Sequence, residues 1–284
     1  MQGKTIHSHL KQGRAALETA LSLDAATARI EAQSLMQHVL NVSRAWLLAH
    51  DDAVLDAAQE TAYADLLQRR LHGEPLAYLL GEREFYGLVF KVTPATLIPR
   101  PETELLVELA LERIPQPSTP RILDLGTGSG AIALSIAHAR PHSLVLACDA
   151  SAAALSVARE NAQRLNCSNA TFQQSNWYAV LADQRFDLIV SNPPYVAAHD
   201  PHLQQGDLRF EPLSALASGD DGLANIRRIV AQARAHLEPG GWLLLEHGYD
   251  QADAVRELLL AAGFSDVFSA RDLAGIERCS GGRA

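Results

Sequence analysis

The 284-residue sequence has only three cysteines, Cys148, Cys167 and Cys279, and none of them shares a CxxC spacing. An odd, scattered set builds neither a disulfide framework nor a thiolate metal site, and it fits a reducing compartment. No apolar run, such as Leu243-Leu244-Leu245, approaches the roughly 20 residues that a membrane span needs. The first ten residues carry Lys4, His7 and His9 and lack the apolar stretch of a secretory signal, so a cytoplasmic protein is expected. Positive charge is in deficit, with 24 Lys+Arg against 33 Asp+Glu and a formal net charge of -9. Aromatics make up 6% of the chain, and no basic stripe interleaves with stacking residues. Direct bulk nucleic-acid binding is therefore not expected, and neither is a membrane partner.

Proline is missing from the first 74 residues; all 13 prolines fall from Pro75 onward. The proline-free part is rich in Ala and Leu. Ile6, Leu10, Leu17 and Leu21 recur at helical spacing, and Ser22 or Asp24 can cap a second helix carrying Ile30, Leu35 and Val39. A short helical piece follows Ser43, and a longer helix from about Asp56 ends at Leu71-His72, with Gly73 as a left-handed stop. Residues 1–76 are expected to form a small all-α domain. Phe85, Tyr86, Leu88, Val89, Phe90 and Val92 are β-prone around Gly87, which predicts a β-hairpin linker within 77–96.

From residue 97 to 284 the pattern alternates. Strands are predicted at 121–125, 144–148, 186–190 and 242–245, with helices at 131–139, 152–165, 225–237 and 251–261. Repeated βα units specify an α/β fold, a largely parallel sheet with helices on both faces.

Asp124-Leu-Gly126-Thr127-Gly128-Ser129-Gly130 joins the first of these strands to a helix. Glycines let the chain turn sharply and let a ligand approach the backbone. Asp149, at the end of the next strand, can accept both hydroxyls of a ribose, although it can also cap the helix that begins near Ser151. The third glycine of GxGxxG is absent, and no GK[ST] follows, so neither a dinucleotide fingerprint nor a phosphate loop is present. The string resembles motif I of the class I S-adenosylmethionine-dependent methyltransferases, whose sheet is Rossmann-like and whose cofactor carries no phosphate.

Ser191-Asn192-Pro193-Pro194-Tyr195 follows the strand at 186–190. Two prolines fix φ and leave rigid carbonyl acceptors, Asn192 adds a side-chain acceptor, and Tyr195 offers a flat face. Such a corner suits a planar NH2 group on a conjugated system; a Pro-Pro turn with a self-satisfied Asn is the plainer alternative. The element resembles the Asn-Pro-Pro-Tyr motif of amino-methyltransferases.

Further strings narrow the likeness: Leu97-Ile-Pro-Arg-Pro-Glu-Thr-Glu104, Glu211-Pro-Leu-Ser-Ala-Leu-Ala-Ser-Gly-Asp-Asp-Gly222, Leu245-Glu-His-Gly248 and Arg271-Asp-Leu-Ala-Gly275. With them the chain resembles, over nearly its whole length, the HemK/PrmC family of peptide chain release factor N5-glutamine methyltransferases. The resemblance implies S-adenosylmethionine as methyl donor, S-adenosylhomocysteine as product, and no metal. It places the methionine part of the cofactor on Gly126 to Gly130, the ribose on Asp149, the adenine beside Trp177, and Asn192 between cofactor and substrate. It makes Asn192, Pro193, Pro194 and Tyr195 the grip on a glutamine amide, with Asn192, Pro193 and Tyr195 catalytic. The implied partner is a bacterial class I peptide chain release factor, methylated at the glutamine of its Gly-Gly-Gln loop and docked by the N-terminal helical domain.

Core packing is the plainer alternative for Trp177, and Asn176 is assigned no contact. Arg100 and Glu102 are candidate pocket-wall residues, with a Pro-flanked helix cap as the alternative. His199 and His202 lie near Asp200 without a ligand set and read as a solvated loop. Three other readings share the glycine loop or the Asn-Pro-Pro-Tyr corner. They are glutamine methylation of a large-subunit ribosomal protein, amino-methylation of DNA or RNA bases, and cofactor sensing without chemistry.

Overall fold

The structure is a computed structural model that describes residues 4–114 and 119–284. It divides into two compact units, Met1–Gly81 and Glu82–Ala284. Among the described residues no helix is long and apolar enough to cross a membrane.

The first unit is helical: α1 (Ile6–Leu21), α2 (Ala25–Leu40), α3 (Arg44–Ala49), α4 (Ala57–Leu71) and α5 (Leu76–Leu80). Of the two candidate caps it is Asp24 that starts α2, accepting the Ala26 and Thr27 amides, while Ser22 turns left-handed after α1. Asp56 and Gln59 close α4 with a capping box. The apolar faces meet around Ile6, Leu35, Met36, Leu47, Tyr63 and Leu79. One charged pair lies inside this unit: Arg70 Nε and Nη2 donate to the Glu31 carboxylate at 2.8 and 3.1 Å. Truncating one partner of such a buried pair costs about 3–5 kcal/mol, so it ties α2 to α4. Residues 76–80 are helical, and the hairpin starts only after them.

The second unit opens with that hairpin, β1 (Glu82–Phe85) and β2 (Leu88–Lys91), paired antiparallel. A 3-10 turn over Pro101–Thr103 leads into α6 (Glu104–Arg113). Then come β3 (Arg121–Leu125), α7 (Ala131–Ala139), β4 (Leu144–Asp149), α8 (Ala152–Arg164), β5 (Ala170–Gln174) and β6 (Phe186–Ser191). After a loop with three 3-10 turns follow α9 (Ala224–Ala233), β7 (Leu237–Glu246), α10 (Ala252–Ala261), β8 (Ser265–Arg271) and β9 (Glu277–Arg283).

Seven strands form one sheet in the order β5-β4-β3-β6-β7-β9-β8; β9 alone runs antiparallel to both neighbours. Alternate residues along each strand feed opposite faces. Ile122, Val145, Leu188 and Leu244 pack with α6 and α7, whereas Leu123, Ile189, Leu243 and Leu245 pack with α9 and α10. The α/β fold with helices on both faces, preceded by a helical region and a hairpin, is thus the architecture observed. Three strands, β5, β8 and β9, were not predicted, and β7 begins five residues before the predicted Trp242.

The strand order reverses between β3 and β6. From β3 the chain moves outward through β4 to β5, and then returns to the other side of β3 with β6. In open α/β sheets a ligand crevice forms outside the carboxyl ends of the strands at such a switch point. The glycine loop leaves β3 and the Asn-Pro-Pro-Tyr corner leaves β6, so both open onto that crevice.

Candidate active site

A cavity of about 540 Å³ occupies the switch point, within the size range of small-molecule sites. Its floor is the loop from Leu125 to Ser129, with Cys148 to Ser151 on one side and Ser175 to Trp177 beyond. The lining is completed by Pro94 to Leu97, Arg100 and Thr103, and by Asn192 and Pro194.

Gly126, Gly128 and Gly130 all have positive φ, 76°, 57° and 85°, which explains why no residue with a Cβ stands there. The loop is held from beneath. The Gly126 and Thr127 amides donate to the Cys148 carbonyl at 2.8 and 2.9 Å. The Thr127 hydroxyl donates to Asp124 Oδ2 at 2.6 Å. Asp124 is fully buried, and that burial pushes its carboxyl up to about 7. Asn161 of α8 donates to the Ser129 carbonyl at 2.9 Å and exchanges hydrogen bonds with the Lys91 backbone. This ties the end of the hairpin to the glycine loop.

Asp149, a candidate both for ribose binding and for capping α8, joins the glycine loop to the start of α8. Its Oδ2 accepts the Gly128 amide at 2.9 Å, and its Oδ1 accepts the Ser151 amide at 2.8 Å. The cap of α8 itself is Ser151. A carboxylate offers about four lone-pair sites, so two backbone bonds leave capacity for a ligand while fixing the group at the cavity wall. Cys148 also lines the cavity, but burial pushes its thiol up to about 12, which makes it a poor nucleophile.

Trp177 follows β5 with φ 56°, a left-handed conformation that is strained for a bulky residue. Ser175 holds it there, its hydroxyl donating to the Trp177 carbonyl at 2.6 Å. The ring faces Gly126 so closely that a Cβ on that glycine would lie 3.6 Å from it. Trp177 thus both packs on the core and forms a cavity wall. Asn176, assigned no contact from sequence, lines the cavity as well.

At the end of β6 the Ser191 hydroxyl donates to the Leu125 carbonyl at 2.6 Å, joining the two strand ends. Asn192 lines the cavity, and its Nδ2 donates to Thr103 Oγ1 at 3.2 Å. Pro194 lines it too, whereas Pro193 is buried and lies outside the lining residues. Tyr195 departs from the expectation of a flat face toward the ligand. Its ring packs under the corner against the core, and its hydroxyl donates to Glu246 Oε1 at 3.2 Å. Gln251 Nε2 donates to the Tyr195 carbonyl at 3.0 Å. Two anchors therefore pull Tyr195 away from the cavity.

Arg100 lines the cavity and pairs with Glu211, whose other oxygen accepts the Ile98 amide at 3.0 Å. This pair clips the wall at 97–100 to the loop after β6. Glu102 is exposed and lies outside the lining. His202 pairs with Asp200 at 2.7 Å in an exposed turn, and His199 lies 3.9 Å from Asp220. The sequence reading missed Pro94 to Leu97, Thr103 and Glu246. Thr103 and Glu246 stand in strings that carry the family resemblance, but nothing in either string assigns those side chains a position.

The arrangement suits a nucleoside joined to an amino-acid-like chain. Asp149 supplies a carboxylate to the cavity, Trp177 an aromatic wall, and the glycine loop an open backbone where a Cβ on Gly128 would meet nothing within 4 Å. These residues fit S-adenosylmethionine.

Known proteins agree in kind. Residues 102–207 match the methyltransferase small domain, and residues 9–81 the PrmC N-terminal domain. A release factor glutamine methyltransferase of Bordetella pertussis is 56% identical over 263 residues, covering 92% of this chain and 97% of that protein. The protein of that description from Escherichia coli K12 is 50% identical over 255 residues, 90% of this chain and 92% of its own. Among solved structures, a methyltransferase from Pyrococcus furiosus aligns with a TM-score of 0.53 at 21% identity, covering 78% of this chain and 98% of that chain. The hMettl16 catalytic domain gives 0.57 at 18%, covering 77% and 81%. These two share the fold. Identity of this degree along nearly the full length of the relatives means that the chain belongs to the HemK/PrmC family of release factor glutamine methyltransferases.

Proposed function

We propose that the protein transfers a methyl group from S-adenosylmethionine to the side-chain amide nitrogen, N5, of the glutamine in the Gly-Gly-Gln loop of bacterial class I peptide chain release factors. The observation that carries the reading is the meeting of the Asp149-anchored glycine loop and the Asn192 corner in one cavity. The family relationship supports the release factor as substrate.

S-adenosylmethionine would supply an electrophilic methyl on a sulfonium. Gly126 to Gly130, Asp149 and Trp177 would hold it by the loop backbone, the ribose hydroxyls and the adenine face. A glutamine amide nitrogen is a weak nucleophile because its lone pair is delocalised into the carbonyl. Asn192 Oδ1 would accept one of its two hydrogens and raise electron density on nitrogen, while Pro194 bounds the side chain. Positioning of this kind supplies up to about 7–11 kcal/mol in ideal cases. Positive charge develops on nitrogen in the transition state, and carbonyl acceptors stabilise it. The proton leaves after transfer, when the nitrogen is acidic, so no strong base is required. Tyr195 acts from beneath, by holding the corner.

The helical unit would dock the body of the release factor. Deleting residues 1–75 is then expected to raise KM for the release factor while kcat on a short Gly-Gly-Gln peptide holds; an unchanged KM refutes docking. The substrate class is tested by offering labelled cofactor to release factor, ribosomal subunits and RNA together. Label is expected on the release factor, and label on a ribosomal protein or on RNA would overturn the reading.

A further inference from the structure

Asn192 works as an acceptor toward the cavity only if its amide is held with oxygen facing in. An amide group reversed by 180° would present two donors to a substrate that is itself a donor, so something must fix its orientation.

The structure places a buried polar chain behind it. Asn192 Nδ2 meets Thr103 Oγ1 at 3.2 Å. Thr103 is 4% exposed, and Glu246, at the end of β7, is 2% exposed. Glu246 Oε1 accepts the Tyr195 hydroxyl at 3.2 Å. Its Oε2 has no hydrogen-bond partner among the described residues, and the hydroxyls of Thr103 and Tyr195 both favour the charge of the carboxyl, Thr103 the more strongly. A buried acceptor left open is costly, and with the Tyr195 hydroxyl committed to Oε1 the Thr103 proton is the one left to fill it.

We propose that Thr103 and ionised Glu246 are positioning residues: Glu246 accepts the Thr103 hydroxyl, Thr103 accepts Asn192 Nδ2, and Asn192 Oδ1 is thereby held toward the cavity. The direction of each bond follows from the next. A hydroxyl donates one hydrogen, so with that hydrogen on Glu246 the Thr103 oxygen can only accept from Asn192. If Glu246 is protonated it becomes the donor, Thr103 is free to donate to the Asn192 oxygen, and the amide can turn over.

The groups facing Glu246 set the pH at which this occurs. Tyr195 comes from the corner after β6, Thr103 and Glu102 from the turn before α6, and Arg278 and Cys279 from β9; His247 is the next residue on β7's own segment. Arg278 favours the charge but is shared with Asp272 at 3.3 Å, and Glu102 opposes it. Burial dominates and pushes the Glu246 carboxyl up to about 7. His247 is occupied with Ser280 and the Gly248 carbonyl.

This inference rests on the proposed role of Asn192 in methyl transfer, but its direct readout does not need turnover. In full-length protein labelled with 15N at asparagine, the Asn192 side-chain amide signal is expected to shift with pH, with a midpoint near 7. The shift should be absent in Glu246→Gln. In the methylation assay Thr103→Val should lose on the order of 100-fold in kcat with KM for S-adenosylmethionine unchanged. Thr103→Ser should restore turnover, and the acid limb of kcat should follow the amide signal. Thr103→Val turning over like the wild type, or Glu246→Gln keeping the titrating signal, would overturn the relay. A wild-type protein that shows the titration and transfers no methyl to a release factor would refute the functional reading and leave the relay standing.

Discussion

Asn192→Ala is expected to lower kcat by about two to three orders of magnitude, the cost of removing one preorganised group that meets developing charge. The dissociation constant for S-adenosylhomocysteine should change only a few-fold. The asymmetry follows from geometry. Asn192 lines the cavity at the end of β6, and its Nδ2 is committed to Thr103, so its oxygen is the part available to a substrate. Stopped single-turnover assays with calorimetry of the product complex separate the two effects. Equal losses in turnover and in cofactor binding would refute a substrate grip at Asn192.

Asp149→Ala should show the reverse pattern. The carboxylate accepts the Gly128 and Ser151 amides at 2.9 and 2.8 Å, so its removal frees the middle of the glycine loop and deletes the acceptor for a ribose. A hydrogen bond to a charged acceptor contributes about 1.5–3 kcal/mol, so losing two to the ligand weakens binding by roughly 100-fold or more. Calorimetry with S-adenosylhomocysteine measures this directly. A dissociation constant within threefold of the wild type would remove Asp149 from the cofactor site.

The parallel core of the sheet was legible because β3, β4 and β6 are short, mostly apolar runs bounded by turn residues, the pattern of strands buried on both faces. The strands that escaped notice lie toward the sheet edges. β5, Ala170–Gln174, carries Thr171, Gln173 and Gln174 and is only partly buried, so no hydrophobic alternation marks it. β9 is interior but reads Ser280-Gly281-Gly282, a string that resembles a turn. Its glycines answer to packing: a Cβ on Gly281 would lie 2.5 Å from Leu244 Cδ2, and one on Gly282 2.8 Å from Phe264. The residues whose presence hides the strand are the ones that let it pair there.

The candidate site divides in the same way. The glycine loop and Asp149 were readable because their function depends on local backbone chemistry, a turn and a strand end. The likeness of Asn192 to Tyr195 to a known motif located the corner, but could not say which side chains face the cavity. Tyr195 turns inward because Glu246 and Gln251, both from the β7–α10 region, bind it from beneath. Thr103 and Glu246 are 143 positions apart in the chain and meet only through the strand order, so no spacing rule could pair them.

The central claim is methyl transfer to one amide nitrogen, and peptide mass spectrometry of a purified class I release factor incubated with the protein and S-adenosylmethionine tests it most directly. The account predicts a gain of one methyl, localised by fragmentation to the side chain of the Gly-Gly-Gln glutamine. A release factor recovered unmodified at that glutamine, with cofactor bound to the protein, would contradict it.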